Sequence, residues 1–224
     1  MTRKIKIIAI ALMVIMSCAI LLSACEKTVE FIPRPTLETL PNEFSITLEY
    51  NDSGTFNIER IISRKGDNYY YSYVCVNPAI TLEMWFIKTG DMYTLCSRQT
   101  GSELLSEILY DEYELYNLLS ILGVNNPYVL LDIAPPWAYE YKYTKLGSAV
   151  IAGRNCIKYK YNSREYYSET DRRVKATFTK TYYVDVETSM HLKVVSTTPG
   201  YASTLKCTKF KTSDVELPPL PLID

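Results

Sequence analysis

Cys25 is the residue of this chain whose surroundings imply chemistry most directly. It closes an apolar run from Ile7 to Leu22, follows the small residues Ser23 and Ala24, and is followed by Glu26 and Lys27. Arg3, Lys4 and Lys6 stand ahead of the run. A short basic head, an apolar segment and small residues at its end form the pattern of an export signal. The run is slightly shorter than the roughly 20 apolar residues that span a bilayer. It ends on small residues rather than on a basic stop-transfer cluster, and the basic residues before it would keep the N-terminus in the cytoplasm. An uncleaved signal anchor with an incidental cysteine is the alternative.

Elsewhere the reactive side chains are sparse. His191 is the only histidine; it follows a turn and reads as a solvent-facing strand residue. With no Gly-x-Ser-x-Gly elbow, a Ser-His-Asp triad has no nucleophile to serve. Neither a Gly-x-Gly-x-x-Gly pattern nor a phosphate-binding loop occurs. Cys75, Cys96, Cys156 and Cys207 fall in separate strand-like stretches, and none belongs to a Cys-x-x-Cys pair, so zinc is not expected. Four thiols in an oxidising compartment allow three pairings, and the sequence does not choose among them. Asp111, Glu112 and Glu114 read as a solvated face, because helical spacing cannot wrap a calcium ion as a loop does. Arg172, Arg173, Lys206, Lys209 and Lys211 read as solvated strand positions. No catalytic residue, metal or cofactor is implied, and the expectation is a protein that is not an enzyme.

The box Leu22-Ser23-Ala24-Cys25 resembles the bacterial lipoprotein signal, roughly Leu-(Ala/Ser)-(Gly/Ala)-Cys, at all four positions. Cys18 follows a poorer box and a shorter apolar core. The resemblance implies that the Cys25 thiol receives a diacylglyceryl group, that residues 1–24 are removed as a signal peptide, and that the remainder is held on the extracytoplasmic face of the membrane. Each buried acyl methylene contributes about 0.8 kcal/mol, so two or three chains anchor firmly. Loss of Arg3, Lys4 and Lys6 moves the formal net charge from -1 to -4. A mildly acidic domain does not suit nucleic acid.

The rest of the chain is patterned for strands. Tyrosine is abundant, with 20 copies against 6 phenylalanines, and suits half-buried strands. Residues 25–42, with three prolines, read as a tether outside the sheet. Phe44, Ile46, Leu48 and Tyr50 alternate on one face; Tyr69, Tyr71, Tyr73 and Cys75 do the same. Turn chemistry recurs at 51–54, 65–68, 88–91, 152–155 and 185–189, at a spacing that indicates an antiparallel meander. At Thr100 the period changes. Thr100 and Glu103 suggest a capping box, and Leu104, Leu105, Ile108, Leu109, Leu115, Leu118, Leu119 and Leu122 recur at helical spacing. The spacing predicts a helix over 101–122 ended by Gly123 and lying on the sheet. Residues 216–224 read as an undocked, proline-rich tail.

The stretch "TYYVDVETSMHLKVV", residues 181–195, resembles a hairpin of the LolA/LolB/LppX-like superfamily of exported lipoprotein-handling and lipid-binding proteins, including its RseB-like branch. "VIAGRNCIKYKY", residues 150–161, resembles that family's Gly-x-x-(Cys)-x-x-Tyr strand. The resemblance covers residues 43–215. It implies a mainly β fold: an incomplete barrel of ten or eleven antiparallel strands with a helix packed on its concave face. It also implies a hollow that holds an acyl chain, a lipid or a hydrophobic peptide. Asp185, Glu187, Thr188 and Lys193 read as structural in its hairpin. Met84, Trp85, Phe86, Ile108, Tyr159 and Tyr161 are the candidates to line the hollow. The family's carriers are soluble, whereas this chain has its own lipid box, which favours a fixed binding module. The alternative is a structural or signalling partner of another envelope protein, joined through a sheet edge or the helix face.

Overall fold

The computed structural model describes residues 27–29, 31–53, 56–76, 79–100, 106–110, 112–124 and 139–220. The signal segment, the lipid box, residues 101–105 and the stretch 125–138 lie outside the described residues.

Among the described residues, twelve strands form one antiparallel sheet. In chain order they are β1 (Lys27–Val29), β2 (Glu43–Asp52), β3 (Phe56–Lys65), β4 (Asn68–Cys75), β5 (Ile80–Thr89), β6 (Met92–Gln99), β7 (Ser106–Tyr110), β8 (Tyr139–Ile151), β9 (Arg154–Tyr166), β10 (Val174–Asp185), β11 (His191–Thr198) and β12 (Tyr201–Lys211). Their order across the sheet is β1-β8-β9-β10-β11-β12-β2-β3-β4-β5-β6-β7. The sheet is therefore two meanders, β2–β7 and β8–β12, joined along the β12–β2 ladder. The edge strands β1 and β7 are not paired with each other, so the sheet is open.

It is also strongly curled. Cα atoms of β8 and β12 come within 8 Å although three strands separate them. In a flat sheet, four steps of about 4.8 Å would hold them about 19 Å apart. Across the same curl, the Arg154 guanidinium of β9 lies 5.0 Å from the ring centre of Phe210 in β12.

The expected alternation decides which residues enter the core. Phe44, Ile46 and Leu48 are fully buried on the inner face, beside Ile62, Tyr69, Tyr71 and Phe86. Leu115 and Leu119 of helix α1 (Glu112–Leu119), with Leu122 of the 3-10 turn Ser120–Leu122, pack into the same core. A mainly β fold, with an open curved sheet and a helix on its inner face, thus agrees with expectation. The helix is shorter than its pattern suggested. Thr100 donates its backbone N–H to Thr81 and so continues the β5 ladder instead of capping a helix. Residues 106–110 form β7, with Ile108 opposite Leu95. The reason is non-local: β6 presents a row of unpaired backbone groups, and pairing satisfies them more fully than a further helical turn.

Both ends of the domain are more firmly tied than their composition implied. Residues 27–29 of the supposed tether pair with β8. Ile32 is buried against Tyr159 and Val184. Leu40 enters the main core, and the buried Arg64 donates to the carbonyls of Leu37 (3.2 Å) and Leu40 (3.0 Å). At the other end, Val215 is buried and its N–H is accepted by Glu43. Trp85 Nε1 donates to the Pro218 carbonyl at 3.0 Å. A small outer core of Tyr70, Trp85 and Cys96 is covered by Leu217. Proline excludes these segments from ladders but does not prevent their apolar side chains from docking.

Candidate functional site

The inner face is filled under α1 but not beyond the 3-10 turn. There a cleft of about 260 Å³ opens over the middle of the sheet. Ser120 and Ile121 form its upper side. Its floor follows the register of three adjacent ladders. Tyr182 of β10 stands opposite Val194 of β11, which stands opposite Leu205 of β12, which stands opposite Tyr50 of β2. One row along, Lys180 faces Ser196, and Ser196 faces Ser203. Arg60 of β3 and His191 of β11 complete the walls.

His191 reaches this face through a bulge. Tyr183 pairs with Lys193, but Val184 pairs with His191, so Leu192 is an extra residue in the ladder. A bulge re-aims the side chains beside it. Rather than facing solvent, the imidazole is buried, with the Tyr182 ring 5.1 Å from its centre. Burial pushes its pKa down to about 4, the charge of Arg34 acts in the same direction, and a hydrogen bond to the Pro33 backbone opposes both. Nε2 has no hydrogen-bond partner among the described residues.

The 3-10 turn ends over this ring. Gly123 adopts φ +84°, its N–H bonds to the Ser120 carbonyl at 3.0 Å, and a Cβ placed on it would lie 2.5 Å from His191 Nδ1. The sequence marked Gly123 as a helix stop; its second duty, close approach to the imidazole, shows only in the fold. Gly123→Ala should cost about 3 kcal/mol, combining the left-handed backbone penalty with overpacking against a ring that has little room to move. Gly90→Ala provides the comparison. It has φ +62° but open space around it, and should cost about 1 kcal/mol. Urea denaturation of both variants measures the difference.

His191 also gives stability a pH dependence. The unfolded chain takes up a proton on this residue near 6.5, whereas the folded ring stays neutral to about 4. Unfolding therefore binds a proton between these values, and stability falls as pH drops from 6.5 to 4, by about 3 kcal/mol. In His191→Gln that slope should vanish from the pH series of denaturation midpoints.

The sequence-derived lining residues are placed around the sheet rather than along this cleft. Phe86 is core, packed with Met84 on the inner face. Trp85, between them in the strand, points to the outer face and its own cluster. Tyr159 is buried under Ile32. Tyr161 stands between Tyr143, at 5.0 Å, and Tyr182, at 6.4 Å between ring centres. Only Tyr182, the neighbour of Tyr159 and Tyr161 across the β9–β10 ladder, reaches the cleft. Ile108 has its backbone in β7, remote in sheet order from the cleft strands. Sequence reasoning missed Arg60, Lys180 and His191; the available signal was a charged residue between apolar ones on the same face, Arg60 between Ile58 and Ile62 and Lys180 between Phe178 and Tyr182.

No protein-family model matches the chain, and no curated protein matches it. Among solved structures, the crystal structure of MucB in complex with MucA(peri) is similar over 77% of this chain and 50% of that one, with 15% identity and a TM-score of 0.33. This chain spans about half the length of the structure it matches.

Other reactive groups are quiet. The described cysteines, Cys75, Cys96, Cys156 and Cys207, are buried and joined in no disulfide among the described residues. Burial pushes the Cys156 thiol up to about 11 and the Cys207 thiol up to about 12, so little reactive thiolate exists at neutral pH. Among the described residues, no group of three or more His, Cys, Asp or Glu side chains is placed to hold a metal ion. No described helix is long and apolar enough to cross a membrane.

Proposed function

We propose that this protein is a non-enzymatic binding module, anchored through lipid on Cys25 at the extracytoplasmic face of a bacterial membrane, that holds an apolar ligand on the inner face of its sheet. The observation that carries the reading is the cleft beside the 3-10 turn, where Ile121, Tyr182, Val194 and Leu205 leave apolar surface uncovered by the described residues. Ligand pockets are typically concave and mostly apolar, with a few polar groups that fix orientation, and burying an acyl chain there would be driven by the hydrophobic effect. Mass spectrometry of organic extracts from the gently purified protein tests it. An acyl-bearing molecule should copurify with the natural chain and be lost from Val194→Trp, which fills the cleft. An empty natural protein, with the same extract from both, would sink the reading.

The place of β7 at the end of the strand order supports a second reading, in which another envelope protein adds a strand there. Pull-down from cross-linked cells separates the two: it predicts a stable protein neighbour rather than a small apolar molecule.

A further inference from the structure

We infer that the cleft selects amphiphiles with an oxyanion head, a carboxylate or a phosphate monoester, and seats that head between Arg60 and Lys180. The inference rests on the ligand-binding reading above and specifies the class of ligand. Three observations carry it. First, the lining contains two cationic side chains, Arg60 and Lys180, and no acidic one. Neither cation has a carboxylate partner in any ion pair found among the described residues. Second, one nitrogen on the cleft wall, Arg60 Nε, is buried without a hydrogen-bond partner among the described residues. Leaving such an atom unsatisfied costs about 1–3 kcal/mol. An Arg Nε can only donate, so the group that completes it is an acceptor, and on a guanidinium, in a cleft whose other charged lining residue is Lys180, that acceptor is best anionic. The Arg60 guanidinium is held over the Tyr73 ring, 5.9 Å from its centre, rather than swinging freely. Third, Ser120, Ser196 and Ser203 offer hydroxyl donors on the same walls, while Val194, Leu205 and Ile121 give an apolar path for the tail. The acidic group at that end of the sheet, Asp52, is engaged with Tyr201 at 3.4 Å, and Tyr201 with Tyr50 at 2.8 Å.

Four probes separate the alternatives: octanoate, octyl phosphate, octanol and inorganic phosphate. Each is titrated into the full chain held in an uncharged amphipol. His191 is the only histidine, so its ring carbon and proton signals report on the cleft without ambiguity. The inference expects saturable shifts with octanoate or octyl phosphate, and binding of octanol about tenfold weaker, the loss of one charge-assisted contact. Arg60→Gln and Lys180→Gln should each remove most of that preference, read as the ratio of octanoate to octanol binding on the same variant. Lys180 is exposed, so its variant folds even if Arg60→Gln does not. Equal binding of octanol and octanoate would overturn the oxyanion head and leave the apolar reading standing. Inorganic phosphate binding as tightly as octyl phosphate would overturn the amphiphile and leave a bare anion site. No shift with any of the four would overturn both readings.

Discussion

Replacing Asp185 with alanine should cost about 3 kcal/mol, because it breaks a buried ion pair and leaves its partners unsatisfied. The carboxylate is almost fully buried at the end of β10 and receives four donors. Arg154 Nε and Nη2 donate to its two oxygens at 3.1 and 2.9 Å. The N–H and hydroxyl of Thr188 donate at 2.8 and 2.7 Å. Arg154 reaches on to Glu187 at 2.8 Å and lies over Phe210. One carboxylate therefore ties the β8–β9 turn to the β10–β11 turn, and through Arg154 to β12. Urea denaturation of Asp185→Ala, Arg154→Met and the double variant checks the coupling: the double loss should fall well short of the sum of the single ones. Acid titration gives an independent readout. Burial would raise the carboxyl pKa, but the Arg154 and Thr188 hydrogen bonds outweigh it and hold the pKa below 3.8. A depressed folded pKa stabilises above the unfolded value and is lost as pH falls through the folded one. Asp185→Asn should therefore flatten the stability curve below about pH 4, and leave intact the slope at higher pH that belongs to His191.

That turn was legible because its chemistry is local. Asp185 and Thr188 sit at turn spacing, Ala152-Gly153 gives the tight β8–β9 reversal with φ +48° and +77°, and alternation of period two places Phe44, Ile46, Leu48, Tyr69 and Tyr71 inside. The errors have three physical sources. Leu104 to Tyr110 fits both a helix and a strand, and the open edge of β6, not the segment itself, settles the strand. Met84, Trp85 and Phe86 were grouped as one lining, although consecutive residues in a strand point to opposite faces. Period two already separates Trp85 from its neighbours. His191 reads as solvent-facing from its place just after a turn, but the bulge at Leu192 turns it inward. An unpaired residue in a ladder resets the phase, and nothing in "MHLKVV" marks where it falls. The cleft has a related cause: its walls come from a turn and five neighbouring strands of two meanders, and the β12–β2 ladder that joins the meanders links residues as far apart in the chain as Tyr50 and Leu205.

Cys25→Ala should abolish incorporation of labelled palmitate, leave the chain with its signal segment uncleaved, and remove the acyl anchor from the domain. The sequence expectation treated residues 25–42 as a spacer between lipid and domain, but the fold removes most of that spacer. Lys27 is already paired with Lys145 in the β1–β8 ladder. Two residues at about 3.5 Å each span at most about 7 Å, so an acylated Cys25 would hold the β1–β8 edge against the bilayer surface. Lys145 of that edge is exposed on the domain. In membranes carrying the natural chain, an amine-reactive reagent should modify Lys145 slowly. A Gly/Ser insert of about ten residues between Glu26 and Lys27, long enough to lift the edge by several tens of ångströms when extended, should restore fast modification without changing palmitate incorporation. Labelled palmitate on Cys25→Ala would remove the anchor assignment, and equal labelling rates with and without the insert would place this edge away from the lipid.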